Sequence, residues 1–365
     1  MTKLRVLVLG GCGFIGRNFV SYLVEHDLAS AITVVDKVPP QVAWLNDIHS
    51  KCFEHEIVKF KSANLINQDS CKNAFSLPDG SAWDLAVNFA SETRPGQTDP
   101  VYKEGILKLS LNCANEAASQ NVGRYIELSS GNMYSSEKVP HKEDGPLEPW
   151  TYIAKWKKEV EEQISDIPNL RYTIIRVPLV YGLGDKSNLT PRIMAAAIYK
   201  ELKKTMKLLW NADLKMNTVH VEDVCRAILF ANDKQQTMSQ VYNVVDDANS
   251  TQGSISDILS EIFGVKVEYY GNVVSSCVDL EEAADDANDK HVVPWAEACR
   301  RDRIENTPLS PHMDGTVLLG KHLNVDGNKL KSLGFMLNVP RPTSSKLKEI
   351  IDDYVRMKVF PQSLA

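Results

Sequence analysis

Residues 4–20 read LRVLVLGGCGFIGRNFV: a short apolar run, then glycines at positions 10, 13 and 16, then the spacing of an amphipathic helix. Few local patterns constrain a fold more tightly. A strand that feeds a glycine-rich turn and then a helix needs Gly10 for a tight turn, Gly13 for close backbone approach and Gly16 for helix–strand packing. The same geometry aims a helix amino terminus, with its free N–H groups and positive dipole end, at whatever lies beyond the strand. A dinucleotide pyrophosphate is the ligand that such a turn fits, with Phe14 and Ile15 supplying backbone donors.

The rest of the chain has the matching rhythm. Leu4–Leu9, Ile32–Val35, Leu85–Phe89, Tyr125–Leu128, Tyr172–Val177 and Val241–Val245 are short, largely β-branched apolar runs, and helix-like spacing separates the early ones. That alternation predicts α/β architecture: a Rossmann-type, doubly wound parallel sheet with a smaller carboxy-terminal α/β lobe. The expected division is residues 1–180 for the nucleotide-binding part and 181–365 for the substrate lobe, with the chain crossing back to the sheet. Long helices are expected over Val101–Gln120, from about Thr151, over Thr190–Lys207 and over Ser254–Phe263. Residues 275–325 carry little pattern, and their acidic stretch EEAADDANDK reads as a solvated loop or helix face.

Composition excludes several classes of function. At 365 residues with 43% hydrophobic and 24% charged content, the chain is of globular type. A net charge of −6 gives no basic field for a polyanion, so nucleic acid is not an expected partner. The seven cysteines are scattered without a C-x-x-C pair, which argues against a disulfide framework or a zinc site, and no metal is expected. The amino-terminal apolar run is too short for a signal sequence or a membrane span, so the expectation is a soluble, cytoplasmic protein without a membrane partner.

The second strand ends ITVVDK, which puts Asp36 twenty residues past Gly16. An acid at that place accepts hydrogen bonds from both hydroxyls of an adenosine ribose and repels a 2′-phosphate, so NAD is expected over NADP. Lys37 beside it weakens that preference, and a turn-capping aspartate is the alternative.

With these residues in view, the chain resembles the extended short-chain dehydrogenase/reductases of the NAD-dependent epimerase/dehydratase type. SANL at 62–65 lies where that family usually has Asp-Leu beside the adenine, with Asn64 in place of the acid and Leu65 following. VNFAS at 87–91, which holds Phe89, Ala90 and Ser91, looks like its fourth-strand motif, and LSSGNMY at 128–134 looks like its serine motif. IIRVPLVYGLGD at 174–185, with Val177, and VHVEDVCRAI at 219–228 are similar to later family segments, as are VYNVVDD at 241–247 and DGNKLKSLGF at 326–335. Only about residues 275–325 fall outside the likeness.

The resemblance implies hydride transfer on a sugar-like or other hydroxyl/carbonyl substrate, with a serine, a tyrosine and a lysine four residues after the tyrosine carrying the chemistry. A free phenol, with a pKa near ~10, is a poor acid–base group at neutral pH, and an adjacent ammonium favours its phenolate. Ser130 occupies the serine position and Lys155 the lysine position, but Thr151 stands four before Lys155 and Tyr152 only three before it. That offset turns the phenol around the helix by roughly 100°, which a frayed first turn can absorb. Lys157 does not restore the spacing, because Ile153 stands four before it. The asparagine that usually partners the lysine has no counterpart near Gly105–Leu107, and Leu179 and Met216 stand where relatives commonly contact a sugar-nucleotide diphosphate.

The resemblance also implies a homodimer built on the two long helices and a small-molecule substrate, a sugar or nucleotide sugar among the candidates. An NAD-binding regulatory or scaffold protein that has lost catalysis is the alternative, with 275–325 as its partner surface. Arg94 reads as a loop arginine on the surface or facing substrate. His220, Glu222 and Asp223 suit a helix start with acids in its first turn. Cys12 lies near a helix amino terminus, which lowers a thiol pKa, or it is simply a small residue packed beside the cofactor.

Overall fold

Strand β1 (Leu4–Leu9) is buried from Val6 onward because it sits near the middle of the sheet with helices on both faces. Its side chains alternate: Val6 and Val8 enter the core on one face, Leu7 and Leu9 the core on the other. This explains why the strand reads as continuously apolar rather than alternating. The structure, a computed structural model, describes residues 3–77 and 79–365.

Six further strands complete the sheet: β2 (Ala29–Asp36), β3 (Val58–Ser62), β4 (Leu85–Asn88), β5 (Arg124–Ser130), β6 (Tyr172–Val177) and β10 (Gln240–Asn243). Their order is β10-β6-β5-β4-β1-β2-β3, and every neighbouring pair is parallel. The chain runs outward from β1 through β2 and β3, then restarts on the other side of β1 with β4 and continues through β5 and β6. The carboxyl ends of β1 and β4 therefore flank the topological switch point, where α/β sheets open a crevice. The chain then returns, with β10 pairing on the outer edge of β6.

Short strands β7 (Leu179–Tyr181) with β9 (Thr218–His220), and β8 (Met206–Leu208) with β11 (Val267–Tyr269), lie outside this sheet. A third core gathers Tyr181, Ile193, Leu259, Trp295, Leu347 and Phe360 from the second half of the chain. Two helices differ from their sequence readings. The expected helix over Thr190–Lys207 ends at Glu201, because Lys203 takes a left-handed φ of 52° and the next residues enter β8. The long helix before β5 holds a π-helical stretch, Lys103–Lys108, whose widened turn leaves the Gly105 carbonyl to accept from Glu92 N at 3.0 Å. The acidic stretch lies in the helix Leu280–Arg301, with Pro294 inside it.

A buried charge network locks β5, β6, β10 and the Tyr152–Ile164 helix together. The Arg176 guanidinium donates to Glu161 at 2.6–3.1 Å and to the Tyr134 hydroxyl at 2.7 Å. Ser129 also donates to Glu161, and Tyr134 donates to Asn243 at 2.8 Å. Replacing Arg176 by Met leaves the Glu161 carboxylate buried without its cation. We expect R176M to lose about 3–5 kcal/mol of stability in denaturant titration; a loss below about 1 kcal/mol would show that the network does not hold these elements.

Candidate active site

The glycine turn closes as its spacing requires. Gly10 has φ +73°, and a Cβ there would lie 2.5 Å from the Ala90 backbone nitrogen at the end of β4. A Cβ on Gly16 would collide with the Gly10 carbonyl, so the helix Phe14–Glu25 can approach the turn only with glycine at that position. That helix opens on Gly13 with no side-chain cap, which leaves its first-turn donors to a ligand.

Around this turn, Asp36 accepts from Cys12 N and Val38 N, both at 3.0 Å. Two backbone bonds fix the carboxylate and leave it lone pairs for ribose hydroxyls. Arg17, absent from the sequence reading, is almost fully buried beneath the turn. Its guanidinium donates to the carbonyls of Gly13, Cys12, Ala43 and Trp44, binding the turn to the loop after β2. Cys12 departs from the lowered pKa that its place near a helix terminus suggests: burial first, then Asp36, push its thiol up to about 12 against the pull of Arg17. It is an inert, packed thiol.

All the sequence-predicted residues line one cavity of about 2900 Å³: Gly10, Gly13, Phe14, Ile15, Gly16, Asp36, Lys37, Asn64, Leu65, Phe89, Ala90, Ser91, Ser130, Tyr152, Lys155 and Val177. The Ser91 hydroxyl is buried with no partner among the described residues. Ser130 accepts from Asn132 N at 3.1 Å, so its own hydroxyl proton remains available to a substrate oxygen. The glycine cradle, the uncapped helix end, the fixed carboxylate and the unpaired Ser91 hydroxyl together fit a dinucleotide.

The tyrosine–lysine pair is arranged otherwise than a phenol–ammonium hydrogen bond. Thr151 caps the helix by accepting from Ala154 N at 3.1 Å, and Tyr152 is the first helical residue. Tyr152 is 54% exposed, and its ring stacks on Tyr102 with centroids 5.8 Å apart. The Lys155 ammonium bonds Asp99 at 3.0 Å and lies 5.8 Å from the Tyr152 ring centre. The buried lysine is Lys157, which donates to Glu127 at 3.0 Å and to the Leu128 carbonyl at 2.8 Å. Glu127 also accepts from Asn88, Ser110 and Tyr125. Asn88 in turn accepts from Ala90 N at 3.1 Å, so this network supports the strand ends that form the cavity floor. Polar residues at strand positions, Asn88 in LAVN and Glu127 in RYIELSS, were the sequence signal for it.

The remaining candidates have local roles. Arg94 forms a two-bond pair with Glu92 at the cavity rim, at 3.0 and 2.7 Å, and this pairing holds Glu92 below the usual carboxylate range. His220 caps the helix Val221–Asp233 by accepting from Glu222 N, and Asp223 binds the backbone at Asn338 and Val339. No helix among the described residues is long and apolar enough to cross a membrane.

Residues 6–244 match the NAD dependent epimerase/dehydratase family. A dTDP-glucose 4,6-dehydratase of Actinoplanes is 23% identical over 279 residues, 72% of this chain and 82% of that protein. A UDP-glucose 4-epimerase of Mycoplasma genitalium is 21% identical over 289 residues, again covering 72% and 82%. Among solved structures, UDP-glucuronic acid 4-epimerase from Bacillus cereus, in complex with UDP-glucuronic acid and NAD, superposes with a TM-score of 0.71 at 13% identity, covering 97% of this chain and 100% of that one. The dTDP-glucose 4,6-dehydratase DesIV of Streptomyces venezuelae gives 0.70 at 18% identity, covering 99% and 100%. The chain belongs to the NAD-dependent epimerase/dehydratase family.

Proposed function

We propose that this protein is an NAD-dependent oxidoreductase of epimerase or dehydratase type, acting on a hydroxyl or carbonyl of a sugar or nucleotide sugar. The observation that carries the reading is the single cavity that joins the glycine turn and Asp36 to Ser130, Tyr152 and Lys155. NAD, when bound, supplies the hydride acceptor and donor. The chain's residues do the rest. The Phe14–Glu25 helix end and the Gly10–Gly13 backbone hold the pyrophosphate, and Asp36 takes the adenosine ribose. Asn64 and Leu65 border the adenine, while Phe89, Ala90, Ser91 and Val177 wall the nicotinamide half.

Ser130 donates its hydroxyl proton to the reacting oxygen, and Tyr152 exchanges a proton at that same oxygen. Lys155 binds the nicotinamide ribose; to do so its ammonium leaves Asp99, an exposed pair that solvent screens. The fused volume of the cavity supports a two-part ligand set, since it exceeds the roughly 300–1,000 Å³ typical of one small-ligand pocket. The exposed faces of the Leu109–Ser119 and Tyr152–Ile164 helices are the surfaces on which we place a homodimer.

Two experiments test the reading. Gly13→Asp brings a new Cβ to 3.1 Å from the Gly10 carbonyl oxygen, a tight contact to which the turn must yield by a few tenths of an ångström, so its melting temperature is measured beside its affinity. It places a carboxylate where the pyrophosphate binds, and we expect NAD affinity by calorimetry to fall at least about tenfold; unchanged affinity removes the cofactor site. In turnover assays with UDP-glucose, UDP-glucuronic acid and dTDP-glucose, Y152F is expected to lower kcat by about 10²–10⁴ and K155M to lower it comparably. K157M should instead lower stability by about 3–5 kcal/mol, by leaving Glu127 buried and unpaired. Full activity in Y152F would contradict the proton-transfer role.

A further inference from the structure

Three arginines are buried in this protein, and each is held by several hydrogen bonds. Arg17 bonds four carbonyls, Arg124 bonds Thr173, Thr237 and the Lys234 carbonyl, and Arg176 bonds Glu161. The half-buried Arg192 is not. It sits in the first turn of the Thr190–Glu201 helix and lines the substrate half of the cavity beside Leu208, Leu209, Trp210 and Tyr270.

Of its five N–H donors, one is used, in a long 3.4 Å bond to the Gln252 carbonyl oxygen. No carboxylate among the described residues pairs with it. Gln252 is itself buried, and its amide nitrogen is tied to the carbonyls of Leu209 at 2.8 Å and Asn211 at 3.3 Å, which fixes its oxygen toward Arg192. The guanidinium is therefore oriented but not neutralised. Burial pulls its pKa down to about 10, which leaves it charged at neutral pH in surroundings that disfavour charge. An underpaired cation is costly unless an anion reaches it, and apolar walls strengthen whatever pairing then forms.

We infer that Arg192 is the anion anchor of the substrate half of the cavity, held by Gln252 and taking a phosphate or carboxylate of the substrate in a forked, two-bond contact. This rests on the function proposed above and adds what that reading leaves open: the substrate is an anion, and the cation that meets it comes from the Thr190–Glu201 helix.

Calorimetric titration of the NAD-loaded full chain tests the assignment, with UDP as the diphosphate probe, D-glucuronate as the carboxylate probe and uridine as the uncharged control. Wild type is expected to bind at least one anion. R192Q should weaken that binding by about tenfold or more, R192K should recover part of it, and uridine binding should stay the same. Loss confined to UDP assigns the diphosphate, and loss confined to glucuronate assigns the carboxylate. R192Q should also melt no lower than wild type, since it removes an uncompensated charge. Equal anion affinity in R192Q and wild type, or no anion binding by wild type, overturns the inference. NAD titrated into the same three proteins separates the two claims: NAD binding that is intact in all of them leaves the cofactor reading standing whatever Arg192 does.

Discussion

The approach of Gly10 to Ala90 governs the rest of this structure. It brings the end of β1 against the end of β4 at the point where strand order reverses, with no room for a side chain between them. Because the two strands meet there, the helix after β1 aims its amino terminus into the crevice, and the loop after β4 forms the opposite wall. The polar network beneath is consistent with this constraint. Asn88 and Glu127 on the strands are buried together with Ser110 and Lys157 on the helices beside them, and Asn88 fixes the Ala90 nitrogen that faces Gly10. Stability and site geometry thus share the same atoms.

Charge is distributed accordingly. Two buried ion pairs, Lys157–Glu127 and Arg176–Glu161, are satisfied within the protein and brace the strands that carry Ser130. Arg17 spends its charge on carbonyls to stiffen the glycine turn, and Asp36 accepts one bond from the same turn and one from Val38 N after β2. Each of these groups is preorganised before any ligand arrives, which is the condition for electrostatics to act without reorganisation cost. Arg192 differs in having donors to spare.

Much of the fold was legible in the sequence because its central demands are local. A glycine triplet between an apolar run and an amphipathic helix leaves little freedom, and β-branched runs buried on both faces declare parallel strands. The departures came where the deciding contact is remote. Nothing within TYIAKWKKEVEE says that Lys157, and not Lys155, turns inward; that depends on Glu127, thirty residues earlier, and on Thr151 rather than a later residue capping the helix. The helix after Thr190 was read too long because Lys203 ends it in a left-handed turn without a glycine to announce it. Arg17 and Arg192 carried no motif at all, and only the surrounding carbonyls of the one and the missing partners of the other give them meaning.

The account stands or falls on how the cavity receives its cofactor, and a crystal structure with NAD bound measures that directly. The account predicts the pyrophosphate on the backbone nitrogens of Gly13, Phe14 and Ile15 and the adenosine ribose within hydrogen-bond distance of Asp36. It also predicts Lys155 turned from Asp99 to the nicotinamide ribose, with the Tyr152 hydroxyl beside Ser130. A bound NAD that leaves Tyr152 stacked on Tyr102 and Lys155 on Asp99 would contradict tyrosine-based proton transfer, and a pyrophosphate bound away from the glycine turn would contradict the site itself.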